Sequence, residues 1–300
     1  MEVPVYHPYK SAEAKEQYLK FYAIREKRWP VASQSRLVAT SYGQTFVRIS
    51  GCDGADPLVL LHGAGSTSLM WVPNIEALSE HYKTYAVDDF YGGGQSRCTK
   101  PIKNPEDLAN WLDELLSALG LSGNINLVGL SYGGWLISQY ALRFPDRLNK
   151  VVLLAPAAVA LPIRLEVIIR AIISALPHRW FTRNFFRWMF ADLVQKDNDG
   201  QMLEYAVDSI VMGKRCFTLP RMIRPTVLTD KELRSLTTPM LVLIGENERL
   251  YSAQKAVKRL RKVAPWIEAA VIPQAGHDLT IVQAEMINSK IIEFLKQPYH

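Results

Sequence analysis

The chain has 300 residues, 48% of them apolar and 21% charged, the balance of a globular protein in water. The net charge is +6, but no block of like charge carries it, which excludes a basic nucleic-acid-binding arm. The length fits one large α/β domain, or a core domain with a smaller one inserted.

The densest basic stretch, "KAVKRLRKVAP" at 255–265, places Lys255, Lys258, Arg259 and Lys262 at helical spacing with Val257, Leu260 and Val263 facing elsewhere. It reads as the outer face of an amphipathic helix, and no aromatic residues interleave to stack bases. The three cysteines, Cys52, Cys98 and Cys216, are odd in number, widely separated and form no CxxC. Reduced thiols and a cytoplasmic location follow. The N-terminus lacks a signal-peptide core, and "LEVIIRAIISALP" is interrupted by Arg170 and too short for a bilayer span.

Along the chain, residues 11–28 predict a helix. "SRLVATS" and "QTFVRIS" predict two strands joined by the turn "YGQ". Three apolar runs follow, "PLVLLHG", "KTYAVDDF" and "INLVGLS", each leading through a polar turn into a helix-compatible segment. The clearest helix is "NPEDLANWLDELLSALG", with Asn104 as cap, Pro105 at its first position, acids in its first turn and Gly120 as its stop. "KVVLLAPA" is a further strand. Such alternation predicts a mostly parallel central sheet flanked by helices on both faces. Between residues 158 and 235 the rhythm breaks, and three helices are predicted at 161–176, 178–194 and 200–215. Strands resume at "PMLVLIG" and "EAAVIPQ", before a last helix. The expected organisation is an N-terminal helical extension (1–35), a core (36–157 and 236–300) and an inserted helical cap or lid (158–235).

"INLVGLSYGGW" at 125–135 holds G-x-S-x-G between a strand and a helix. So abrupt a turn strains Ser131 and projects its hydroxyl. Gly129 and Gly133 avoid a clash where the backbone approaches itself. The helix start aims free amides and its positive dipole end at the serine oxygen.

A serine hydroxyl needs a base to become a nucleophile. Of six histidines, His277 in "IPQAGHDLT" follows the last strand, where its loop can return the ring over the sheet edge. "LVLLHGAGS" at 58–66 supplies an oxyanion element: the amide of Ala64, with that of Tyr132, faces a developing negative oxygen. His62 holds this loop by hydrogen bonds. In "VDDFYGGGQS", Asp89 forms a structural turn by bonding the local backbone. Candidate acids behind His277 include Glu246 and Glu248 of "GENERLY" and the acids of that turn. Glu248 stands three residues after Gly245, where such an acid is expected. Glu in place of Asp adds a methylene and longer reach.

"HGAG", "DFYGGGQS", "GLSYGG", "GENE" and "AGHD" stand in the order and on the elements of the α/β-hydrolase fold, which the chain resembles over about residues 36–296. It is more closely similar to the Bacillus carboxylesterase NP group, which hydrolyses bulky aryl-propionate esters, through "RWPV", "GQT", "LVLLHGA", "MWVPNI", "YAVD", "LTDKELRS" and "GENERLY". The resemblance implies Ser131 as nucleophile, His277 as base and the acid of the 245 loop as third member. That group uses Glu there, which favours Glu248.

The likeness fades in the insertion, which is rich in Phe181, Phe185, Phe186, Trp188, Met189, Phe190, Met202 and Met212. Most of these pack lid helices together. Phe181, Phe185 and Met189, with Trp71 after the oxyanion loop, are candidate pocket residues for a small hydrophobic ester. The expected activity is that of a serine carboxylesterase needing no metal or cofactor. Lactone, thioester or C–C bond hydrolysis, and a ligand receptor on the same scaffold, remain alternatives. Haloalkane and epoxide chemistry are disfavoured, because they want a carboxylate where Ser131 stands. Monomer and homodimer are both open.

Overall fold

A computed structural model describes residues 7–197, 200–218 and 221–298. The chain ends of the expected extension and core, His300 included, therefore lie outside the described residues. Helix α1 (Ala12–Glu26) is capped by Ser11, whose hydroxyl accepts from the Ala14 N–H at 3.1 Å. Strands β1 (Ser33–Thr40) and β2 (Gly43–Ser50) pair antiparallel. Next come β3 (Pro57–Leu61), α2 (Val72–Ser79), β4 (Lys83–Val87), the two-residue β5 (Arg97–Cys98), α3 (Pro105–Ala118), β6 (Ile125–Leu130), α4 (Tyr132–Arg143) and β7 (Leu148–Leu154). A helical stretch follows: α5 (Leu165–Ser174), α6 (Arg179–Met189), α7 (Ala191–Lys196), α8 (Gln201–Cys216) and α9 (Asp230–Ser235). The order closes with β8 (Met240–Gly245), α10 (Ala253–Val263), β9 (Glu268–Ile272), α11 (Leu279–Val282) and α12 (Ala284–Lys296).

The sheet runs β1-β2-β4-β3-β6-β7-β8-β9, with β5 added to β2. It is parallel from β4 through β9 and antiparallel only around β2. Burial on both faces explains the unbroken apolar runs. In β3, Val59 and Leu61 join the core containing α3, α4 and α10, while Leu58 and Leu60 join the core containing α2 and α12. Helix α3 begins as its sequence predicts: the Asn104 side chain accepts from the Asp107 N–H at 2.8 Å. No helix among the described residues is long and apolar enough to cross a membrane.

Among the described residues, no strand lies between β7 and β8, but the helices there number five rather than the three predicted. The segment expected to be one helix over 178–194 breaks at Phe190, whose φ −108 and ψ 51 leave the helical region. Helix α9 was not among the predicted helices, although "TDKE" carries its signal. Thr229 and Glu232 form a reciprocal cap, the Glu232 carboxylate accepting from the Thr229 N–H at 2.7 Å. On α10, Lys255, Lys258 and Lys262 are exposed as expected. Arg259 is not: it donates to the Leu228 carbonyl at 2.8 Å and pairs with Asp230 at 2.7 Å, tying α10 to α9.

The N-terminal segment is packed into the protein. Tyr9 and Tyr18 meet Phe217, just past α8, with ring centroids 4.5 and 4.6 Å away. The Lys10 N–H donates to the Cys216 carbonyl and the Thr218 N–H to the Pro8 carbonyl, each at 2.8 Å. Arg25 donates to the Tyr205 carbonyl and lies over its ring. The first helix thereby fastens the longest helix between β7 and β8. Tyr18→Ala should cost about 3–5 kcal/mol in urea unfolding. The exposed Ile24→Ala should stay within about 0.5 kcal/mol.

Candidate active site

Strand β6 ends at Leu130 and α4 begins at Tyr132, leaving Ser131 alone to make the turn. Its φ of 53 and ψ of −112 lie where side chains are strained, at about 1–3 kcal/mol. Three backbone bonds hold it there. The Ser131 N–H donates to the Leu154 carbonyl at 2.9 Å, and the Ser131 carbonyl accepts from Trp135 and Ala157 at 3.0 Å each. A Cβ on Gly129 would stand 2.6 Å from the Gly133 carbonyl carbon, and one on Gly133 would stand 2.5 Å from the Leu61 carbonyl oxygen. Only glycine lets the turn close on itself and on the end of β3.

That contact carries the "HGAG" loop to the serine. A Cβ on Gly63 would lie 3.4 Å from Ser131 Cβ. His62 braces the loop. Its Nε2 accepts from the Asp89 N–H at 3.0 Å, so the proton belongs on Nδ1, which donates to the Gly63 carbonyl at 2.8 Å. Asp89 accepts from the N–H groups of Tyr91 and Gly92 at 2.7 and 2.8 Å. Both residues therefore hold backbone. Tyr132 opens α4, and Ala64 sits exposed in the loop. Neither N–H finds a protein acceptor among the described residues.

Ser131, Glu248 and His277 follow the carboxyl ends of β6, β8 and β9, one edge of the parallel sheet. His277 Nδ1 lies 2.9 Å from Glu248 Oε2. Glu248 Oε1 accepts from the Leu250 N–H at 2.8 Å, which orients the carboxylate. The loops interlock because a Cβ on Gly245 would strike the carbonyls of Ala275 and Gly276. Glu246 points elsewhere: it is exposed and accepts from the Gln274 N–H at 3.2 Å. Burial pulls the pKa of His277 down. The Glu248 charge and hydrogen bond, helped by Asp278, outweigh that and leave it above the ordinary imidazole value. With Nδ1–H donated to Glu248, Nε2 is the nitrogen left to accept a proton. Among the described residues no hydrogen bond joins Ser131 Oγ to the ring, and such bonds commonly tighten only once substrate is bound.

The pattern of the alpha/beta hydrolase family matches residues 58–288. The chain belongs to that family. Among relatives of this alpha/beta hydrolase, carboxylesterase YbfK of Bacillus subtilis (strain 168) is 32% identical over 297 residues, covering 94% of this chain and 95% of that protein. The uncharacterized carboxylesterase nap of the same organism is 34% identical over 285 residues, covering 93% and 92%. The crystal structure of naproxen esterase (carboxylesterase NP) from Bacillus subtilis matches with a TM-score of 0.87 at 32% identity, over 96% of this chain and 100% of that one. The likeness first read from short motifs thus extends over nearly the whole hydrolase.

The four expected pocket residues differ in their surroundings. Trp71 is wholly enclosed in the core containing α2 and α12, because the 3-10 turn Ser68–Trp71 folds it beneath the loop. It presents no surface to a pocket in this structure. Met189 is buried in the opposite core, Phe185 packs against that core, and Phe181 is half-buried edge-on to Trp180. Two residues were missed. A Cβ on Gly65 would lie 2.8 Å from Ile210 Cδ1, so α8 crosses the tip of the "HGAG" loop. Asp278, almost wholly buried, accepts from the Leu193 N–H at 2.8 Å and the Gly276 N–H at 3.0 Å. It caps α7 from outside, beside His277, while Asp192 of α7 accepts from the Asn247 side chain at 2.8 Å. "GHD" held the signal for Asp278, but its partner comes from 85 residues away.

A polar surface cavity of about 450 Å³, lined by Arg164, Asp192, Glu246 and Arg249 among others, reaches Glu248 without including Ser131 or His277. Among the described residues no cluster of three or more His, Cys, Asp or Glu side chains is placed to hold a metal ion. The His277 titration midpoint, followed by NMR, should lie above the ordinary imidazole value in the native protein. In Glu248→Gln it should fall below that of the native protein, because the opposing pull of burial remains.

Proposed function

We propose that this carboxylic ester hydrolase is a serine esterase with the triad Ser131, His277 and Glu248, acting on esters with bulky apolar or aryl acyl groups. The observation that carries the reading is the buried Glu248–His277 contact of 2.9 Å, on the same sheet edge as the strained Ser131. Ser131 Oγ attacks the ester carbonyl while His277 Nε2 takes its proton. Glu248 keeps the ring in the Nδ1–H tautomer and balances the imidazolium. The amides of Tyr132 and Ala64 donate to the oxyanion, and each such donor is worth about 10²–10³ in rate. His277 then protonates the departing alkoxide, the alcohol leaves, and the acyl group remains on Ser131. Water, deprotonated by His277, attacks that ester and releases the acid and the free serine. The scheme uses no metal and no cofactor.

Residues 158–235 act as a cap on the core formed by 36–157 and 236–300, and residues 1–35 serve as the extension that fastens it. The position of Ile210 over Gly65 supports a cap that reaches the oxyanion loop. The apolar content of the insertion supports a hydrophobic acyl pocket. The names of the relatives, two carboxylesterases and a naproxen esterase, support an ester over a thioester or C–C bond. The cytoplasmic setting expected from the cysteine usage belongs to the same proposal.

Ser131→Ala should reduce p-nitrophenyl ester hydrolysis to background. Glu248→Gln should lower kcat by roughly 10³–10⁴-fold with the fold intact by circular dichroism, and Glu246→Gln by less than about threefold. Equal or reversed effects of the two glutamates would contradict the assignment of the acid.

A further inference from the structure

Helix α5 buries only Val167. Its apolar side faces outward: Leu165, Ile169, Ile172, Ile173 and, one turn on, Leu176 are exposed by 45–69%. The spacing of 4, 3 and 1 residues places the four in α5 on one helical face, and Leu176 follows just past its end. Trp180, 57% exposed, opens the next helix. The Thr182 hydroxyl donates to the Ser174 carbonyl at 3.2 Å, which fixes the start of α6 beside the end of α5 and brings Trp180 to the same region. A cluster of this size on a protein surface marks a site of interaction.

The charges around it select the partner. Residues 161–190 hold five arginines and a single acid, Glu166. Arg170 pairs with Glu166, and Arg179 and Arg183 pair with Glu204 and Asp208 of α8. Arg187 is exposed and makes no ion pair among the described residues, and the same holds for Arg164 at the start of α5. Of the net +6, residues 158–235 carry +4. A second copy placed on this face would set like charge against like. An anionic lipid surface meets both features, with acyl chains for the isoleucines, the headgroup boundary for Trp180 and phosphates for the arginines.

We propose that the outward face of α5, with Trp180 and the neighbouring arginines, docks the protein reversibly on anionic phospholipid surfaces. Esters with bulky apolar acyl groups partition into such surfaces, so docking would bring the insertion to where they concentrate. The docking itself is independent of the triad assignment.

The test is cosedimentation of the full chain with phosphatidylcholine vesicles containing about 30% phosphatidylglycerol, against pure phosphatidylcholine. The expected result is binding to the anionic vesicles at least about tenfold tighter than to the neutral ones, weakened by added salt. The double variant Ile172→Asp, Leu176→Asp should lose at least about tenfold in vesicle binding while hydrolysing a water-soluble p-nitrophenyl ester at the native rate. No binding, or binding indifferent to lipid charge and to the substitutions, would overturn the proposal. So would a dimer in sedimentation equilibrium that this double variant dissociates, because a second copy would then cover the face. Turnover of the soluble ester in the same preparations reports on the esterase reading separately.

Discussion

Everything at the sheet edge depends on one steric constraint, the closure of the turn at Ser131. The backbone of Gly133 must pass within contact of both Gly129 and the carbonyl end of β3. That approach forces Ser131 into a left-handed φ and seats α4 against the loop that carries Ala64. Two glycines thus set the relation between a hydroxyl and two free amides that come from separate parts of the chain. The strain at Ser131 persists because Leu154, Trp135 and Ala157 fix its backbone on both sides.

The acid side obeys a second constraint. Gly245 lets the loop after β8 lie against Ala275 and Gly276, and this brings Glu248 rather than Glu246 to His277. The Glu248 carboxylate is buried and held by its bond from the Leu250 N–H. Helix α7, from the helical stretch between β7 and β8, joins the same assembly. Asp278 accepts from its backbone, and Asp192 accepts from Asn247. On the proposed reading, the base loop, the acid loop and the insertion share hydrogen bonds, so the seating of the insertion and the orientation of His277 are mechanically linked.

Much of this was legible in the sequence because it is local. A strand, a serine between glycines and the start of a helix occupy eleven consecutive residues, and the cap of α3 lies within four. The distance of Glu248 from Gly245 is likewise a short-range spacing. What was not legible depends on tertiary contact. The break at Phe190 leaves no proline or glycine to announce it. Trp71 follows the loop after β3, yet a 3-10 turn directs it into the core. Arg259 has the spacing of a solvated face but finds Asp230 and the Leu228 carbonyl on α9 and its approach. Ile210 and Asp278 acquire their importance only from partners far away in sequence.

The helical stretch between β7 and β8 combines two kinds of surface. Its inner side is fastened to the core through Phe217, Leu193 and Ile210, and its outer side exposes an apolar helix edged by arginines. On the proposed reading, a serine activated at the turn between β6 and α4 lies beneath it. Covalent labelling with a fluorophosphonate, followed by peptide mapping, tests whether Ser131 is that nucleophile. The expected result is a single adduct on Ser131, formed in step with loss of ester hydrolysis. An adduct on another residue, or hydrolysis that survives full labelling of Ser131, would contradict it.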